Sequence, residues 1–264
     1  MGYSLPSASS GGSGPALSGA RGLALSASGT SSTVGIAATE AVCTAAGQTP
    51  IHLGSVTLTL NMATLGANGL DTGALAASTW YAVFIIAGPS GTAALASLSP
   101  TAPALPAGYT VFSRVGWIRT DGSASMYPMA FTQAGSRVQY TVTAAGNVKA
   151  LPGRLTGLAG TFSATAPVWE QLVMGTLVPP TASAVRLAIN NNNTGVTPLA
   201  QVFMAPNPNF GGIASASQNI PPIAVSLAGA EIVECELNLE SSSIYVVSST
   251  GAMFIACIGW EDAL

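Results

Sequence analysis

The chain has 264 residues, of which 48% are hydrophobic and only 6% charged, with a formal net charge of −3. An average soluble domain is about a quarter charged, and one Lys (Lys149) with six scattered Arg excludes nucleic-acid binding by phosphate neutralisation, which needs clustered cations. A membrane-spanning helix is excluded as well, because it needs about 18 consecutive apolar residues and the longest runs, 80–87 and 252–260, fall far short.

In chain order, residues 1–20 are rich in Ser, Gly, Pro and Ala and read as a flexible N-terminal arm. They carry no early positive charge and no apolar h-region, so they do not read as a secretory signal, and assembly in a reducing cytoplasm is expected. Residues 55–61 alternate, with Val56, Leu58 and Leu60 on one face and Thr57 and Thr59 on the other, which is the period of a strand. The run 80–87 (WYAVFIIA) is apolar throughout and reads as a strand buried on both faces. Residues 110–120 alternate around Gly116, which predicts a bulge or bend, and 139–143 follow as a short strand. Turn signals separate these runs at Asn68-Gly69, Gly88-Pro89-Ser90-Gly91 and Pro106-Ala107-Gly108. Asp121-Gly122 reads as a two-residue hairpin.

Beyond residue 145 the strands expected are 171–177, 183–189, 201–204, 223–227, 231–239, 243–247 and 253–260. Helix is the alternative for 231–239, whose alternation is loose. A polar turn is expected at 190–193 and a loop at 206–212. Short strands at near-regular spacing predict an all-β fold of two β-sandwich or barrel-like domains. The boundary is set near residue 145: residues 21–145 hold four basic and three acidic side chains, residues 146–264 three basic and seven acidic.

Chemistry-bearing residues are sparse. His52 is the only histidine and reads as a loop or half-buried residue. Cys43, Cys235 and Cys257 lack C-x-x-C spacing, and apolar neighbours make them buried free thiols rather than metal ligands; a Cys235–Cys257 bridge across neighbouring strands is the alternative. Nucleophile-elbow, P-loop and dinucleotide motifs are absent. Glu231, Glu234, Glu236 and Glu240 form the one acidic group; Glu234 and Glu236 share a strand face and are the pair that glycoside hydrolysis would use, against a solvated face or an intersubunit cation site. Glu261-Asp262 reads as a solvated end. Trp80, Tyr81, Phe84, Phe112, Trp117, Tyr127, Phe131 and Tyr140 read as core rather than as sugar-stacking platforms. No catalytic, cofactor-binding or metal-binding residue is assigned, no cofactor is expected, and the chain is read as a non-enzyme.

One ordered set of motifs is more specific. The run 69–81 (GLDTGALAASTWY) enters the buried strand, followed by 97–103 (SLSPTAP), 105–110 (LPAGYT) and 114–121 (RVGWIRTD). This order, over residues 20–142, resembles a module of tailed-bacteriophage virion structural proteins, commonly tail fibres or appendages. Within it, Gly69 and Gly73 read as tight-turn positions, Asp71 as a turn cap, and Pro106 and Gly108 as the turn delivering Tyr109 to the sheet. Arg114 and Arg119 are expected to pair with Asp71, Asp121 or the acidic block of an adjacent subunit. The resemblance implies a virion subunit of a tail fibre, collar or other appendage; a capsid decoration or head-fibre protein and a carbohydrate-binding receptor module are the alternatives. So few charges imply burial of neutral surface in a homo-oligomer, a trimer by expectation, with other virion proteins and a host surface glycan as further partners.

Overall fold

In this computed structural model the described residues are 19–156, 159–191, 199–228, 231–251 and 253–264. The arm expected at the N-terminus lies outside them except for Gly19 and Ala20, which stand in a strand. Among the described residues there is no helix. The strands are β1 (Gly19–Arg21), β2 (Ala24–Ala27), β3 (Thr33–Cys43), β4 (Ile51–Asn61), β5 (Gly69–Leu70), β6 (Trp80–Gly88), β7 (Gly91–Ser97), β8 (Val111–Arg119) and β9 (Phe131–Ala134). They continue with β10 (Arg137–Tyr140), β11 (Gly153–Thr156), β12 (Glu170–Val173), β13 (Ala182–Asn191), β14 (Ala200–Ala205), β15 (Ile223–Leu227), β16 (Ile232–Asn238), β17 (Ser243–Ser248) and β18 (Met253–Asp262). The fold is all-β, with several sheets including a curled half-barrel.

A ten-stranded sheet runs β4-β3-β2-β9-β10-β18-β13-β16, with β1 beside β2 on β3 and β11 beside β10 on β18. Two four-stranded sheets, β5-β7-β6-β8 and β12-β17-β14-β15, accompany it. β10 pairs antiparallel with β18, Arg137 opposite Glu261, so strands from both sides of residue 145 share the large sheet.

β6 has the two-sided burial its sequence predicts. Tyr81, Val83, Ile85 and Ala87 enter the main core, while Ala82, Phe84 and Ile86 enter a second cluster with Leu95 and Trp117. Burying each large side chain there contributes roughly 1.5–3 kcal/mol. The bulge expected at Gly116 is present: Val83 faces Gly116 but Phe84 faces Arg114, leaving Val115 as the extra residue. The buried Gln133 side-chain amide bonds the Val115 and Gly135 carbonyls, each at 2.8 Å. A Cβ at Gly116 would lie 2.5 Å from Gln133 Oε1, so any larger residue there forces the bonded Gln133 amide to shift.

Several expectations are corrected. Asp121-Gly122 is not a two-residue hairpin: the Asp121 N–H reaches the Tyr127 carbonyl, and Asp121 caps the wider loop by accepting from Ser123 N–H and Oγ–H. Asn190 and Asn191 extend β13 instead of turning, because β18 and the Glu231 carbonyl pair them; residues 192–193 lie outside the described residues. The strand expected over 171–177 stops at Val173, where Leu177 folds its N–H back on the Met174 carbonyl. The strand expected at 139–143 is Arg137–Tyr140. Residues 231–239 form a strand, β16, and not a helix.

Candidate functional site

Arg114 and Trp117 stand on β8 beside the end of β18. Arg114 Nη1 donates to Asp262 Oδ2 at 2.6 Å, a second guanidinium nitrogen donates to the Ala263 carbonyl, and the guanidinium carbon lies 5.8 Å from the centre of the Trp117 ring. The other Asp262 oxygen accepts from Thr181 Oγ1 at 2.5 Å, and Thr181 Oγ1 accepts from Trp117 Nε1 at 2.7 Å. The Asp262 side chain is 1% exposed. Of the partners expected for Arg114, Asp71 and Asp121 are not used, and the acidic second block supplies Asp262 from the same chain instead of an adjacent subunit. Glu261-Asp262 is not a solvated end, since Trp260 and Asp262 alternate inward on the same strand.

Above this network lies a cleft of about 530 Å³, a size that suits a small ligand. Trp80, Leu98, Pro100, Val178 and Leu239 supply apolar walls, and Glu240, Ser241 and Ser242 supply polar atoms. Trp80 is half-buried and oriented by its Nε1–H bond to the Gly175 carbonyl at 2.8 Å and by edge packing on Trp260. Glu240 accepts from Asn207 Nδ2 at 2.8 Å. Sequence reasoning placed Trp80 in the core and missed this cleft, since Leu98 and Leu239 are brought together only by tertiary packing.

The second feature is the outer face of the large sheet. Strand registers align one row as Thr59, Gly35, Ser26, Thr132, Gln139, Gly259, Arg186 and Glu236. The next row reads Thr57, Ala37, Ala24, Ala134, Arg137, Glu261, Ala184 and Asn238. Alternation along β4, β3, β2 and β9 puts the first four residues of each row opposite the core side, whereas Gly259 and Ala184 farther along are buried. The first four positions of each row, on β4, β3, β2 and β9, are small and uncharged, and all but the half-buried Ala37 are exposed. Neither of these four-residue stretches holds an ionic group; on this half of the sheet the Arg21–Glu40 pair, at 3.5 Å, lies beyond them on β1 and β3, and in the other half Arg137 lies 3.6 Å from Glu236.

The remaining predicted residues are dispersed. His52 is exposed on β4. Glu234 and Glu236 share an exposed face of β16, as expected, while Glu231 accepts from the Ala228 N–H. Asp71 caps its turn through the Thr72 N–H at 2.7 Å and tethers the Ala104 N–H at 3.0 Å. Arg119 contacts the Met129 sulfur. Burial pushes the Asp121 carboxyl up, but hydrogen bonds from Ser123 and Asn147 outweigh it and hold the group below its ordinary value.

All three cysteines are free; Cys43 and Cys257 are buried and Cys235 is half-buried. Cys235 and Cys257 face Leu187 from opposite sides, on β16 and β18. Two strand spacings of about 4.8 Å exceed the Cα separation a disulfide spans, which removes the bridge weighed from the sequence. Burial pushes each thiol up to about 12. Compared with known proteins, the chain matches no family model, no curated protein and no solved structure.

Proposed function

We propose that the chain is a non-enzymatic structural subunit of a bacteriophage virion, part of a tail fibre, collar or other appendage, that associates with copies of itself through neutral small-residue surface. The observation supporting the assembly half of this reading is the pair of rows across β4, β3, β2 and β9: eight aligned positions hold only Thr, Ser, Ala and Gly. Such a surface carries no self-repulsion, loses little hydration when covered, and lets a flat neighbour approach closely. The virion half is supported by the ordered motifs of residues 20–142.

Light scattering of the purified chain tests assembly: a mass of two or more chains is expected at micromolar concentration, and a monodisperse single chain refutes it. Gel densitometry of purified particles tests the setting. Tens of copies per particle fit an appendage, hundreds fit capsid decoration, and absence from particles refutes the virion reading.

A second reading, a host-glycan contact, is favoured by the Trp80 cleft, where an aromatic ring adjoins a carboxylate and two hydroxyls. A sugar presents C–H groups to a ring and hydroxyls to acceptors. A glycan array with the native protein and Trp80→Ala tests it; signals that survive the substitution refute this cleft as the site.

A further inference from the structure

Among the described residues β4 is the outermost strand of the ten-stranded sheet, bonded to β3 on one side only. The direction of its free backbone groups follows from one bond. Asn61 stands opposite Thr33 on β3, yet its N–H donates away from β3, to the Asn68 carbonyl at 2.8 Å. Along an antiparallel strand the N–H and C=O of one residue point to the same side, and the side alternates from residue to residue. Thr57 and Thr59 are in phase with Asn61 and therefore direct their amides and carbonyls outward. Val56, Leu58 and Leu60 direct theirs to β3. The outward groups of Thr57 and Thr59 have no backbone partner among the described residues.

Proteins normally blunt such an edge with Lys, Pro, inward charges or a covering loop. β4 has none of the first three: its sequence, IHLGSVTLTLN, holds no Lys, Arg, Asp, Glu or Pro. Its one backbone irregularity, Ser55 at φ 52°, precedes the open stretch and leaves 56–61 in regular register with β3. The opposite edge, β16, carries Glu234 and Glu236 exposed, so the two ends of the sheet are treated differently.

We propose that β4 is a self-association edge whose occupant is β4 of a second copy, paired antiparallel about a two-fold axis at Leu58. This deepens the assembly reading above and rests on it. Thr57 then lies opposite Thr59 of the second copy and Thr59 opposite its Thr57. Each pair exchanges two N–H···O bonds, so four open donors and four open acceptors are satisfied, and the same patch serves both copies, as a two-fold contact requires. Leu58 meets its own counterpart in the closely spaced, non-hydrogen-bonded position between them. It is half-buried in the single chain and becomes covered. The Thr59 and Thr57 rows run on into the second copy, bringing the neutral rows of both sheets together. A second copy fits better than a charged partner, because nothing ionic lies on the edge to select one.

The test measures mass by light scattering at micromolar concentration for the native chain, Thr59→Pro, Thr57→Lys and Thr132→Lys, each checked for an unchanged unfolding midpoint. Thr59→Pro deletes an outward N–H that the single chain does not use. Thr57→Lys adds a charge to the edge and keeps the backbone intact. Thr132→Lys adds the same charge to the same face but on β9, away from the edge. A two-chain mass is expected for the native protein and Thr132→Lys, and a one-chain mass for both edge variants. A native three-chain mass, a two-chain mass retained by both edge variants, or dissociation by Thr132→Lys overturns edge pairing and leaves assembly through the sheet face standing. A native one-chain mass overturns both.

Discussion

Replacing Asp262 by Asn removes one charge from a nearly sealed site and leaves the volume unchanged. Arg114 then keeps its guanidinium, 15% exposed, beside an amide oxygen instead of a carboxylate. The 2.6 Å ion pair is lost, and the 2.5 Å bond from Thr181 becomes a neutral one. Thr181 in turn holds Trp117 Nε1, so the perturbation reaches the second core cluster. Breaking a buried pair from one side costs about 3–5 kcal/mol, because the surviving charge has no counter-ion and little water. For a chain of this size each kcal/mol moves the melting midpoint by about 2–4 °C, so a fall on the order of 10 °C is expected in calorimetry. Arg114→Met combined with Asp262→Leu removes both charges and should recover most of the loss. A midpoint for Asp262→Asn within about 2 °C of native, less than one kcal/mol, refutes the role assigned to this network.

Gly116→Ala drives a methyl into Gln133 Oε1 at the β8 bulge and should cost about 1–3 kcal/mol in urea unfolding. The native thiols should stay unreactive to a disulfide reagent at about pH 8 and react fully on unfolding, since only the thiolate attacks. Their folded values lie near 12 against 9.0 for a free thiol, so the folded state holds protons the unfolded state has released; stability should be full below 9 and fall as pH climbs from 9 toward 12. Asp121 runs the other way: its folded value is depressed, so its contribution is present at neutral pH and lost as pH falls through that value, and Asp121→Asn should flatten the acid limb of the stability curve. Association through an uncharged edge should persist between about 0.05 M and about 1 M salt, although screening lengths then shrink to about 3 Å; salt-induced dissociation would refute a neutral interface.

The strands legible in the sequence were those whose side chains announce their own burial. β6 has an unbroken apolar run, and residues 56–60 of β4 alternate Val and Leu with Thr. β3, eleven residues long, escaped because Gly35, Ala37, Ala38 and Ala41 favour no conformation strongly; β1, β2 and β4 hold it in place from both sides. Turn chemistry was read locally, which succeeded at Gly88–Gly91, where the pair closes a hairpin, and failed at Asp121, whose carboxylate caps a longer loop. The Arg114–Asp262 pair was legible only as far as the acidic block, expected from an adjacent subunit and found in the same chain. A lone cation far from any local acid signals a distant partner, and only the β8–β18 proximity identifies it. The neutral face was foreshadowed by composition, but its location required the register of the three ladders that join β4, β3, β2 and β9.

β18 is wedged between β13 on one flank and β10 with β11 on the other. Arg137 must therefore wait, as the polypeptide emerges, until Glu261 has been synthesised before its half of the sheet acquires a neighbour. Until then β10 and β13 expose raw hydrogen-bonding margins, so a nascent or prematurely terminated product is sticky at two places that the finished molecule hides. Closure of this seam is a late, non-local event, and refolding from denaturant should be correspondingly slow.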